Sequence, residues 1–149
     1  MGRRTKAREC AFQMLYQWDA TRVPMDEVED AYWRLRSTTE ETRTIAERLA
    51  RGTAAIVGEI DAAIQAAATN WRFERIAAVD RTVLRLGTYE LMKEEETPGP
   101  VILDEAVELA KRFGEAESHA FVNGVLDAIH RRVRGEAGAR PRARSANEA

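Results

Sequence analysis

The sequence predicts an all-α protein of six or seven helices arranged as one compact unit, and three observations carry that prediction. Apolar residues recur at three- and four-residue spacing in nearly every segment, the repeat of an amphipathic helix. No segment alternates with a period of two over enough residues to make a strand. The periodic segments are separated by helix punctuation: Pro24, "STTEET", "TNWRFER", "TPGP" and Gly114.

In the first helix Ala7, Ala11, Met14, Leu15 and Trp18 form one stripe, with Cys10 a small filler on its flank. Beyond Pro24, the second carries Met25, Val28, Tyr32 and Leu35. "STTEET" suits a helix cap, and Ile45, Leu49, Gly52, Ile56, Ile60 and Ile64 then follow as one long stripe. "TNWRFER" reads as an irregular connection whose Trp71 and Phe73 can plug a core. From Ile76 the apolar arc widens to take in Val79, Val83, Leu84, Leu86 and Leu91, so this helix is expected at the centre. After Glu94 to Glu96 and "TPGP", a helix with Leu103, Ala106, Val107, Ala110 and Phe113 is expected, N-capped by Asp104 and C-capped by Gly114. The last begins near Ser118, read as its N-cap, and bears Phe121, Val122, Val125, Leu126, Ile129 and Val133. The domain is expected over residues 1–134. Residues 135–149 lose their large apolar side chains and read as a disordered tail. Arg140, Arg142 and Arg144 within it are either simply solvated or attractive to polyanions.

Composition narrows the function. The 149 residues are 44% hydrophobic and 32% charged, as in a soluble globular domain. No apolar run approaches the roughly 18 residues of a membrane span, and the basic N-terminus lacks the apolar segment of a secretory signal. A lone cysteine fits a reducing compartment, so a cytoplasmic protein is expected. Neither GxxxxGK[ST] nor GxGxxG occurs. His119 and His130 are too far apart in sequence for a helical zinc pair, and Glu117, Ser118 and His119 are too close to converge as a triad. No catalytic residue, metal or cofactor is expected.

The charge distribution is more informative. Formal net charge is −2, yet Arg3, Arg4, Lys6 and Arg8 crowd the first eight residues. Cations at a helix N-terminus oppose the macrodipole, so helix stability gives no reason for them. They read either as a frayed solubilising end or as an arm for a phosphate backbone. At the other end of the chain, the helix start at Ser118 offers free N–H groups to an anion. Phe121 there is either core or a stacking surface for an unpaired base, and Asn123 either a solvated residue or a reader of base edges. Gly124 within the helix suggests close approach of another backbone or a ligand.

"RRTKARECAFQMLYQWD", "AAVDRTVLRLGTYEL", "PVILDEAVELAKRFG" and "SHAFVNGVLDAI" together resemble the NusB family of bacterial transcription antitermination factors, from about Arg3 to Arg134. The resemblance implies an all-α fold of two small helical bundles. It implies binding of single-stranded boxA RNA with the ribosomal protein NusE, and action with RNA polymerase on ribosomal RNA operons. By the same resemblance Arg3, Arg4, Lys6, Arg8, Glu117, Ser118, Phe121 and Asn123 are expected at the RNA, and Tyr16 and Asp80 at NusE. Phe12 either extends the partner patch, mediates self-association or packs at a rim. The basic arm and the start of the last helix are expected side by side in one groove. A protein adaptor or homodimer with an occluded RNA surface is the alternative. A methyltransferase accessory is a weaker one, as the chain leaves no room for that domain.

Overall fold

The computed structural model describes residues 2–139, with side chains through residue 135. Among the described residues there are seven α-helices and no strand: α1 Arg3–Thr21, α2 Met25–Leu35, α3 Glu40–Ala55, α4 Val57–Ala67, α5 Ala78–Lys93, α6 Gly99–Phe113 and α7 Ser118–Ala139. α1 packs on α3 and α2, while α4, α5, α6 and α7 pack among themselves. α1 and α3 both lean on α5, which joins the two groups.

Most of the expected core is buried. Ala7, Ala11, Met14 and Leu15 of α1 are inside with Cys10, and so are Val28, Leu49, Ile60, Ile64, Leu84, Leu126 and Ile129. Residues Thr82–Leu91 of α5 are buried without interruption, as its wide apolar arc requires. Gly52 of α3 lies directly under the Tyr89 ring, and a Cβ there would collide with it. Some assignments differ. Leu35, at the end of α2, is 82% exposed, and Val133 is exposed near the end of α7.

Caps account for several boundaries. Thr39 in "STTEET" caps α3, its side-chain oxygen accepting the Thr42 N–H at 3.1 Å. The long stripe from Ile45 to Ile64 is broken at Ile56 (φ −121°, ψ 31°). The bend lets α3 pack chiefly on α1 and α4 on α5, a division that one straight helix could not make. α6 starts earlier than expected, with Pro98 at its cap and Pro100 in its first turn. Asp104 is therefore inside the helix and caps nothing, whereas Gly114 does end it. At the end of α5, Arg134 of α7 donates to the carbonyls of Leu91 (3.0 Å), Thr97 (2.7 Å) and Glu94 (3.0 Å). One side chain thus satisfies acceptors that the helix end leaves open. α7 is interrupted at Gly135 (φ 75°), beyond which the backbone stays helical to Ala139. The rest of the expected tail, with Arg140, Arg142 and Arg144, lies outside the described residues.

Ion pairs tie the groups together. Asp19 of α1 accepts from Arg81 at 2.7 Å and Arg85 at 2.9 Å, and Arg85 also reaches Asp61 of α4 at 2.8 Å. Burial raises the Asp19 pKa, but the bonds from Arg81 and Arg85 outweigh it and hold the carboxyl below its usual range. Among the described residues, no helix is long and apolar enough to cross a membrane.

Candidate nucleic-acid interface

The four cations of the arm do not behave alike. Arg8 is 4% exposed and forks onto Glu90 of α5, Nε to Oε2 at 2.9 Å and Nη2 to Oε1 at 2.9 Å. Its expected place at the RNA is corrected accordingly, because a guanidinium with both edges turned inward has nothing to offer a phosphate. A helical turn carries Arg8 to the same face as Ala7 and Ala11, which the N-terminal charge count did not reveal. Arg3 is exposed and meets Glu41 of α3 at 3.2 Å, a surface pair that an RNA phosphate can displace at small cost. Arg4 and Lys6 are exposed, with no partner among the described residues.

At the start of α7 the connection after α4 closes over a pocket of about 250 Å3, lined by Trp71, Arg75, Asp80, Glu117 and Phe121 among others. Trp71 is 54% exposed, so it does not plug the core; Phe73 takes that place, half-buried against the interior. The difference is made by Gln65 of α4, which donates to the Trp71 carbonyl at 2.9 Å and accepts the Phe73 N–H at 2.8 Å. This bracket holds the backbone so that Phe73 turns in and Trp71 turns out. Trp71 meets Phe121 edge to face, with ring centroids 5.5 Å apart at 67°. Phe121 is half-buried and keeps one edge at the pocket. Trp71 and Arg75, which line this pocket, are not among the residues the sequence pointed to. The signal was present in "WRFER", where aromatic and basic residues interleave.

Ser118 is buried, and its Oγ accepts the Glu115 N–H at 3.0 Å. It shapes the turn before α7 and does not cap that helix, and it lies in the pocket wall. A Cβ on Gly114 would come within 2.6 Å of that hydroxyl, so the turn closes tightly. Glu117 is exposed at the pocket mouth; Asn123 is exposed on α7 outside the pocket lining. Gly124 has open space where a Cβ would stand, so no close approach explains it.

Asp80 belongs to this pocket, and its Oδ1 is buried with no hydrogen-bond partner among the described residues. Tyr16, the other expected partner residue, is 42% exposed in a neighbouring groove of about 300 Å3 with Phe12, Gln13, Val79 and Phe113. Phe12 is buried and stacked on Phe113 at 4.9 Å, packed beneath Tyr16 in the lining of this groove.

α1 and α6 run side by side in the same direction: Thr5 donates to Glu105 at 3.1 Å, Arg112 meets Glu9 at 2.8 Å, and Phe12 stacks on Phe113. The arm and the α7 start therefore lie toward opposite ends of this seam. At a helical rise of about 1.5 Å per residue, Lys6 is about 9 Å and Arg3 about 14 Å upstream of Phe12. The single side-by-side groove expected from the sequence is replaced by a strip, cationic at one end, apolar in the middle and aromatic at the other.

Comparison with known proteins agrees with this architecture. The NusB family model matches residues 5–131. A transcription antitermination protein NusB from Sorangium cellulosum (strain So ce56) is 51% identical over 129 residues, spanning 87% of this chain and 92% of that protein. Among solved structures, T. maritima NusB superposes with a TM-score of 0.82 at 32% identity, covering 93% of this chain and 96% of that one. A chain in the crystal structure of antitermination factors NusB and NusE in complex with dsRNA gives a TM-score of 0.82 at 28% identity, covering 89% and 98%. The family match over most of the chain and the close superposition on solved NusB structures lead to one conclusion: the chain belongs to the NusB family.

Proposed function

We propose that the chain is an antitermination factor that binds single-stranded boxA RNA jointly with NusE and acts with RNA polymerase on ribosomal RNA operons. The observation that carries this reading is the Trp71–Phe121 pocket, an aromatic slot open to solvent and set apart from the cations of the arm. Asp80, Glu115 and Glu117 line it against a single Arg75, so a phosphate is repelled from its interior. A base is not: it stacks on the rings, and its amino group donates to a carboxylate. Arg3, Arg4 and Lys6 supply the sequence-independent attraction at the far end of the strip. A duplex keeps its base faces stacked away from such a slot, which favours the single strand.

The apolar groove between the two ends supports a protein partner. With Tyr16 exposed above Phe12, Val79 and Phe113, it suits a NusE-type ribosomal protein whose docking extends the RNA surface. Binding of either ligand then strengthens the other by the same factor.

The test is RNA affinity at fixed salt for the wild type, Trp71→Ala and Phe121→Ala, using a boxA strand and its duplex. Loss of one stacked base is worth about 1–3 kcal/mol, so Trp71→Ala is expected to weaken single-strand binding roughly 5- to 150-fold. Unchanged affinity in both variants, or equal binding of the duplex, refutes the base pocket. Adding NusE is expected to tighten the wild type. A dimer that Tyr16→Ala dissociates, with no gain from NusE, would favour the homodimer reading of the same groove.

A further inference from the structure

A third cleft, of about 230 Å3, lies between α1, α2 and the turn into α3. Its walls include Lys6, Tyr32, Arg36, Ser37 and Thr38, with the buried Cys10 behind them. Lys6 and Arg36 are exposed, and neither has an acidic partner among the described residues. The acid in the same cleft, Glu9, is engaged by Arg112 at 2.8 Å. The cleft is therefore positive where the aromatic pocket is negative. Arg36 is also held in place: its guanidinium lies 4.4 Å from the centre of the Tyr32 ring, and the Tyr32 hydroxyl donates to Gln13 Oε1 at 2.5 Å. With no acid bonded to it among the described residues, this guanidinium has N–H groups available to a phosphate. The hydroxyls of Ser37 and Thr38 add donors beside it.

We propose that this cleft is a phosphate subsite for the RNA strand where it runs past the N-terminal arm, with Arg36 and Lys6 as the binding cations. The inference rests on the RNA reading above and extends it. Lys6 belongs both to the arm and to the cleft, so a strand crossing the arm meets Arg36 next. In this arrangement Arg36 supplies the phosphate contact for which Arg8 is not available.

The experiment compares a boxA-length RNA with one extended by six nucleotides at each end, over a salt series, for the wild type, Arg36→Ala, Arg36→Lys and Trp71→Ala. The wild type is expected to bind the extended strand several-fold more tightly. Arg36→Ala is expected to remove that gain, to lower the log–log salt slope by about 0.7 for one lost phosphate, and to leave the short strand unaffected. Arg36→Lys recovers part of the gain, whereas Trp71→Ala weakens both strands. Wild-type affinity and slope in Arg36→Ala, or equal weakening on both strands, overturns the subsite while the RNA reading stands. If the wild type binds neither strand, the RNA reading itself fails and the proposed occupant falls with it. Calorimetry with inorganic phosphate separates the sources, since phosphate binding that Arg36→Ala abolishes, together with no gain for the extended strand over the short one in the wild type, assigns the cleft to free phosphate and overturns the RNA assignment.

Discussion

Replacing Arg8 by Ala is a sharp test of how the N-terminal charges are divided between fold and function. The Arg8 guanidinium makes three contacts of 2.9–3.0 Å with the Glu90 carboxylate, and Glu90 is 3% exposed. Burial raises the Glu90 pKa, and pairing with Arg8 offsets only part of that. Removing Arg8 leaves a buried carboxylate without its counterion, a change worth about 3–5 kcal/mol. For a domain of this size, where each kcal/mol moves the midpoint by about 2–4 °C, the melting temperature is expected to fall by roughly 6–20 °C. Urea denaturation at pH 7 measures the loss directly. The sign with pH follows from the raised carboxyl: a buried acid costs nothing while protonated, and the cost appears as pH rises through its folded pKa. The deficit of Arg8→Ala is therefore expected to be full at neutral pH and to shrink on acidification. An Arg8→Met, Glu90→Leu double variant removes both charges and is expected to recover most of the stability. A loss below about 1 kcal/mol for Arg8→Ala, the range of an exposed pair, would refute the reasoning.

The depressed Asp19 carboxyl makes the opposite contribution. Its stabilisation is present above the unfolded value of about 3.9 and is lost as pH falls through the lower folded pKa, so Asp19→Asn is expected to flatten the acid limb of a stability–pH curve. Gly52→Ala is expected to cost about 1–3 kcal/mol in urea denaturation, because the new methyl group meets the Tyr89 ring and one of the two must move. Thr39→Ala removes the α3 cap and is expected to cost about 1 kcal/mol by the same measurement, without affecting RNA affinity.

Much of this molecule is local in origin and can be read along the chain. The three- and four-residue repeat determined helices and the order of their apolar faces, since a helix presents residues at that spacing on one side whatever it packs against. The width of the α5 arc announced a central helix, and α5 is buried along Thr82–Leu91. The "STTEET" cap and the Gly114 stop are likewise chemical properties of short segments. Contacts between distant segments were not legible. Four cations in eight residues look equivalent in a line, yet the partner of Arg8 is Glu90, separated by 82 positions. Trp71 and Phe73 are two residues apart with similar apolar character, and only Gln65 decides which one faces water. Whether the arm and the α7 tip adjoin depended on the parallel course of α1 and α6, a fact about packing that no repeat encodes. The sequence by itself thus determined the helices, their apolar faces and the family resemblance; tertiary packing alone decided which charges stay free for a ligand, because a side chain's partner is set by what the folded chain brings within a few ångströms of it.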